Sequence, residues 1–143
     1  MNFNEIITKL KTTADAHINV AYTDAGVLES LNWGENRYPL VMFICQPSRF
    51  EINKIRYRIS MVCADVIDDR YLQQITKQSN MFDVGTDILT KLINDSQTAQ
   101  YDIDETSIAF QPFVDSFPDL CAGFQFDFDM TTIYNKDCNL PFV

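Results

Sequence analysis

The stretch KIRYRISMVCAD, Lys54 to Asp65, decides the fold of this chain. Ile55, Tyr57, Ile59, Met61 and Cys63 fall on one face, and Lys54, Arg56, Arg58 and Ser60 on the other. Successive side chains of a strand point to opposite faces, so this alternation predicts a long strand covered on one side only. Ahead of it, PLVMFIC (Pro39–Cys45) is a short, nearly continuous apolar run rich in β-branched and aromatic residues, which predicts a buried strand. Gln46-Pro47-Ser48 links the two.

The same period returns in AGFQFDFDMTTIY, Ala122 to Tyr134. Phe124, Phe126, Phe128 and Met130 define a core face, and Gln125, Asp127, Asp129 and Thr131 an outer one. The two aspartates then sit side by side, roughly 7 Å apart by strand geometry. That separation is loose for one metal ion, and neither a histidine nor a third acid is near in sequence. Asp102 and Asp104 could approach only through the fold. The pair is therefore read as an outward stripe, with no metal site and no cofactor. Before it, SIAFQPFVD (Ser107–Asp115) predicts a strand in which Pro112 requires an edge position or a bulge, and Phe117-Pro118-Asp119 a turn.

Two helical regions complete the pattern. Asn2 with Glu5 has capping-box spacing, and Phe3, Ile6, Ile7, Leu10, Ala14 and Ile18 recur at helical intervals. Leu72, Ile75, Phe82, Ile88, Leu89, Leu92 and Ile93 suit a second helix, starting near Asp68-Asp69 with Asp83 as another possible cap, and with an interruption or kink between Asn80 and Gly85. The segment Tyr22–Tyr38 is turn-rich, and Gln97–Glu105 is polar. The fold class is α+β, with a mainly antiparallel sheet in the order α-β-β-α-β-β and helices on one face. A short extra strand fits around Ile18 to Tyr22. At 143 residues the whole chain, 1–143, is one domain.

Composition excludes several functions. An apolar content of 46% rules out a disordered chain, and a net charge of −9 repels a phosphate backbone over the surface as a whole. No run approaches a membrane span, and the polar N-terminus lacks the apolar core of a signal peptide. Cys45, Cys63, Cys121 and Cys138 form no CxxC pair, so a reduced, soluble, intracellular protein with mostly buried thiols is expected. The one histidine, His17, falls near the end of the first helix, where a surface or helix-terminus role is the ordinary reading. No GxSxG, HExxH or GxxxxGK[ST] motif occurs, and four glycines leave little to cradle a phosphate. Catalytic residues are accordingly none.

Two stripes of opposite sign remain: Lys54, Arg56 and Arg58 on one strand, Asp127 and Asp129 on another. They are solvated faces, cross-strand pairs within one sheet, or contacts between neighbouring subunits.

The Tyr38-Pro39-Leu40-Val41 entry, the alternating Phe50–Asp65 strand, and the ending with Asp119, Gly123, Phe124–Ile133 and Asn135–Pro141 with Cys138 resemble the tail-terminator and tail-completion proteins of tailed bacteriophages. The likeness covers nearly the full chain, in element order more than in identity. It implies a non-enzymatic virion protein, made in the host bacterial cytoplasm and located in the neck or tail. Such a protein forms a homo-oligomeric ring, commonly six-fold or twelve-fold, that DNA passes without sequence-specific binding. Its partners would be other connector, portal-proximal or tail proteins. The basic stripe departs from a purely acidic channel, and the subunit interface, facing the acids of the next copy, is its expected place. Trp33, Phe113 and Phe117, in segments Tyr22–Tyr38 and Phe113–Gly123, are the expected partner-contact loop residues. The alternative is a small intracellular ligand-binding or adaptor domain.

Overall fold

The fold is described from a computed structural model over residues 2–26, 37–67, 73–116 and 120–133. Its elements run α1 (Phe3–Asp15), β1 (Tyr22–Gly26), β2 (Leu40–Cys45), β3 (Arg49–Glu51), β4 (Lys54–Val66), α2 (Gln74–Asp95), β5 (Tyr101–Ser116) and β6 (Leu120–Ile133). One mixed sheet has the order β1-β2-β4-β6-β5, with β3 paired to β4 beyond the end of β2. All pairs are antiparallel except β1 with β2. The α+β class and the mainly antiparallel sheet hold. The element order does not: two strands are added, β1, which starts where the expected extra strand around Ile18–Tyr22 ends and runs into the expected turn-rich segment, and β3, between the expected link Gln46–Ser48 and β4.

The sheet's spine is β4 with β6, paired from Lys54↔Ile133 to Val66↔Cys121. Both predicted alternations are realised here. Ile59, Met61, Cys63, Phe126, Phe128 and Met130 share one core with Ile6, Leu10 and Ala14 of α1 and Val84, Ile88 and Leu92 of α2. Both helices therefore lie on one face. The capping box forms as read, Asn2 accepting from the Glu5 amide at 2.9 Å and Glu5 accepting from the Asn2 amide at 2.7 Å. The stripe stops at Ala14, because the helix ends at Asp15 and leaves Ile18 exposed. Burying Ile6 and Leu10 contributes on the order of 4 kcal/mol of transfer free energy.

Three further expectations are corrected. The second helix is continuous through Asn80–Gly85, which puts Asp83 in its interior and not at a cap. A glycine is expected to weaken a helix, but Gly85 lies against the sheet, and a Cβ there would sit 2.1 Å from the Phe126 ring. Phe82 on the same helix packs on Phe124 at 5.1 Å, Phe110 at 5.4 Å and Phe126 at 5.8 Å between ring centroids, which pins α2 to β5 and β6. The proposed helix start at Asp68-Asp69 lies outside the described residues. Next, β5 begins at Tyr101, inside the polar stretch, since an edge strand needs only one apolar face. Its Pro112 sits on that edge as required. Lastly, the sheet is not covered on one side only. Leu40, Met42, Val62, Ala64 and Cys121 form a second buried cluster on the face away from the helices. The outer face of β4 thus changes character along its length, charged from Lys54 to Arg58 and apolar at Val62 and Ala64.

Candidate functional site

The charged part of the outer face is built by register. Arg58 pairs directly with Asp129, Ser60 with Asp127, and Arg56 with Thr131. On the other side of β4, Arg49 of β3 stands opposite Arg56. The β3–β4 connection is the two-residue turn Ile52-Asn53, with Asn53 at φ 59°, a conformation asparagine tolerates better than most side chains. This turn brings Glu51 alongside Arg56. On the far side, β5 is irregular between Asp104 and Ala109, so that Asp104 stands opposite Asp129 while Ala109 stands opposite Asp127.

Arg56 is the centre of the resulting network. Its Nε donates to Glu51 at 2.7 Å and its Nη1 to Asp104 at 3.2 Å and Asp129 at 3.1 Å. The second fork of the Glu51 contact, from Nη2, is 3.5 Å. Asp104 and Asp129 are like charges directly opposed, an unfavourable pair that the guanidinium between them offsets. Arg58 donates through Nη1 to Asp129 at 3.1 Å and to the Ser107 carbonyl at 3.3 Å. Ser107, in the irregular part of β5, accepts from the Asp129 amide at 2.9 Å, so the irregularity fixes the position of that aspartate.

The charges respond to one another. The hydrogen bond from Arg56, reinforced by the charges of Arg56 and Arg49, holds the Glu51 carboxyl below its ordinary pKa. Asp104 is lowered first by hydrogen bonds from Thr106 and then by Arg56. The Arg56 proton is held more firmly than usual, mainly by Glu51.

Of the sequence-predicted residues, the structure brings Arg56, Arg58 and Asp129 together and leaves two apart. Asp127 accepts from the Ser60 hydroxyl and the Gln125 amide, at 3.2 Å for the latter, and meets no cation among the described residues. Lys54 lies opposite Ile133 and has no ion pair among the described residues. The acids that Arg56 and Arg58 reach among the described residues belong to their own chain, so part of the two stripes meets as cross-strand pairs within one sheet. Phe113 is on β5 and packs against the second buried cluster, so it is a strand residue and not a loop contact. Trp33 and Phe117 lie outside the described residues. Asp104, which the sequence reading left for the fold to place, stands opposite Asp129 and reaches Arg56, whereas sequence reading missed Glu51, Ser107 and Arg49. Their roles follow from a two-residue turn and from an irregular strand pairing, neither of which side-chain periodicity encodes.

Two depressions accompany this geometry. One, of about 430 Å3, is lined by Pro47, Ser48, Arg49, Arg56, Arg58 and Asp129. The other, about 620 Å3, lies between the end of α1 and the middle of α2; His17, Asp65, Asp83 and Asp87 are in its wall. There His17 Nε2 is 2.9 Å from Asp87, and its Nδ1 accepts from the Asn19 amide at 3.1 Å. Lys77 pairs with Asp65 at 3.0 Å. Among the described residues no three His, Cys, Asp or Glu side chains are grouped to hold a metal ion, and no helix is long and apolar enough to cross a membrane. Cys63 and Cys121 are buried and Cys45 half-buried, with burial raising the Cys63 thiol well above its ordinary pKa.

Compared with known proteins, the sequence matches no protein-family model and no curated protein.

Proposed function

We propose that this chain is a non-enzymatic structural subunit that assembles into a homo-oligomeric ring at the head–tail junction or tail end of a tailed bacteriophage. The observation that carries the reading is large apolar side chains exposed at separate places on the surface. At the β3–β4 end of the sheet, Ile52 is 90% exposed, with Phe50 and Ile133 also largely exposed. On the α2–β5 side, Ile75 is 78% exposed and Phe110 more than half. A scattered apolar side chain is ordinary on a surface, but groups at non-equivalent positions suit contacts between copies that are head-to-tail. Such contacts close into rings when the rotation between neighbours allows it. The resemblance to tail-terminator proteins and the acidic surface, which would not retain passing DNA, agree with this role.

Electron microscopy of the purified protein, alone and with phage neck and tail proteins, tests the reading. Rings of one size are expected. A protein that forms no ring and is recruited by no neck or tail protein overturns it.

The second reading, a small ligand-binding domain, is favoured by the 620 Å3 cleft beside His17 and Asp87. A calorimetric screen of small cationic and metal ligands against the wild type and D83N/D87N separates the two. Tight binding lost in the double variant favours a ligand site; no binding tighter than millimolar removes it.

A further inference from the structure

Three of the chain's five arginines line one depression of about 430 Å3, in a protein whose net charge is −9. Arg49 and Arg56 are directly opposed across β3 and β4, and like charges so placed are unfavourable unless anions lie among them. Part of that compensation is internal. Glu51, Asp104 and Asp129 engage Arg56, and Glu51 also approaches Arg49 at 3.3 Å. Glu51 and Asp104 do not line the depression, however, and of its wall only Asp129 is acidic. Donors remain unused there. Arg58 bonds only through Nη1, leaving Nε and Nη2 without a partner among the described residues. Arg49 makes no hydrogen bond among them beyond its ion pair with Glu51.

The matching anions are on the opposite side of the sheet. Asp83 and Asp87 are exposed residues of α2, one helical turn apart, so their carboxylates project from the same helix face. The Asp83 carboxylate has no partner among the described residues, and Asp87 has only His17. Residues four apart on a helix have Cβ atoms roughly 5–6 Å apart, and diagonal neighbours on paired strands, such as Arg49 and Arg58, are spaced at about 7–8 Å. Two long arginine side chains can therefore meet two short aspartates in one docking.

Building on the ring reading, we infer that the Arg49–Arg58 depression of one copy receives Asp83 and Asp87 of α2 from the next. Because α2 packs on one face of the sheet and the arginines lie on the other, the contact is heterologous and repeats from copy to copy. Arg56, already engaged by three carboxylates of its own chain, holds the floor of the depression and is not consumed by the contact. Complementary charge of this kind sets partner orientation and encounter rate more than raw affinity. The exposed apolar side chains would supply the buried area.

The test is a charge swap read by analytical ultracentrifugation. R49E/R58E and D83K/D87K are each expected to self-associate at least ~10-fold more weakly than the wild type, because each now sets like charges at every contact. An equimolar mixture is expected to assemble again, since each contact between the two variants restores opposite charges. Circular dichroism melts show whether each variant remains folded, and the rescue itself requires folded chains. If the wild type assembles and both variants assemble equally well, the docking proposal fails while the ring reading stands. The same follows if the variants fail and the mixture is not rescued. If R49E/R58E keeps its assembly but loses binding of a duplex oligonucleotide, the depression is a phosphate site and the proposal is overturned. A wild type that is monomeric at every concentration and with every neck or tail protein removes the ring reading, and this inference with it.

Discussion

Replacing Gly123 by alanine should open the spine of the sheet. Gly123 pairs with Ala64 in the β4–β6 ladder, and a Cβ built on it would lie 1.8 Å from the Cys63 carbonyl oxygen. It would also lie 2.9 Å from the Cys63 carbonyl carbon and 3.0 Å from the Ala64 Cα. All three atoms are backbone, so no rotamer change relieves the clash. Close carbon–oxygen contacts between adjacent strands are ordinarily about 3.3–3.6 Å, so the strands must part locally by roughly 1.5 Å. A ladder hydrogen bond stretched by that much is lost. Two such bonds at about 1 kcal/mol each, with overpacking strain of about 1–3 kcal/mol beside buried Ala122, Cys121 and Val62, give a cost of about 3–5 kcal/mol. At roughly 3 °C per kcal/mol for a chain of this size, Tm should fall by roughly 10–15 °C. Thermal and urea unfolding followed by circular dichroism measure this. A G123A variant that melts within ~2 °C of the parent would refute the reasoning, because the two strands would then have room that the geometry denies them.

Gly85→Ala should also destabilise, since its Cβ meets the buried Phe126 ring, but here the obstacle is a side chain. Its cost, about 1–3 kcal/mol, should be partly recovered in G85A/F126L, and a double-mutant cycle by urea unfolding that shows strict additivity would contradict the contact. Acid stability should depend on Arg56. The Glu51 and Asp104 carboxyls are lowered in the folded state, so their contribution is present above the ordinary carboxylate range and is lost as pH falls through the lowered folded values. R56Q should therefore show a flatter decline of unfolding free energy than the parent as pH falls through and below the ordinary carboxylate range; equal slopes would mean the network is not coupled to protonation. Removing the N-cap with N2A should cost about 1 kcal/mol and speed amide exchange in the first turn of α1, and unchanged exchange there would discount the capping box.

What the sequence disclosed follows from physical period. The Lys54–Met61 and Phe124–Met130 alternations were legible because each strand has one apolar and one polar face over that length, and the α1 cap because its two side chains are local. Elements that depend on tertiary neighbours were hidden. β1 carries Asp24 and Gly26, poor strand formers, and exists because β2 offers it a parallel edge. The continuity of α2 through Gly85 makes sense only once Phe126 is seen beneath it. The run Met61-Val62-Cys63-Ala64 did signal that the outer face turns apolar there, since four consecutive apolar residues in a strand require cover on both sides. The charged site was half legible. Its arginines and Asp129 stood out by stripe, whereas Glu51, Asp104 and Arg49 joined through the Ile52-Asn53 turn and the irregular pairing of β5.

The central claim is that identical copies meet head-to-tail and close. Native mass spectrometry of the wild-type chain across a wide concentration range, alone and mixed with phage neck and tail proteins, tests it most directly. The account predicts one dominant assembly, a fixed whole-number multiple of the 16.5 kDa chain that does not grow with concentration. A monomer under every condition would contradict it, as would a two-fold dimer that survives the charge reversals at Arg49 and Arg58.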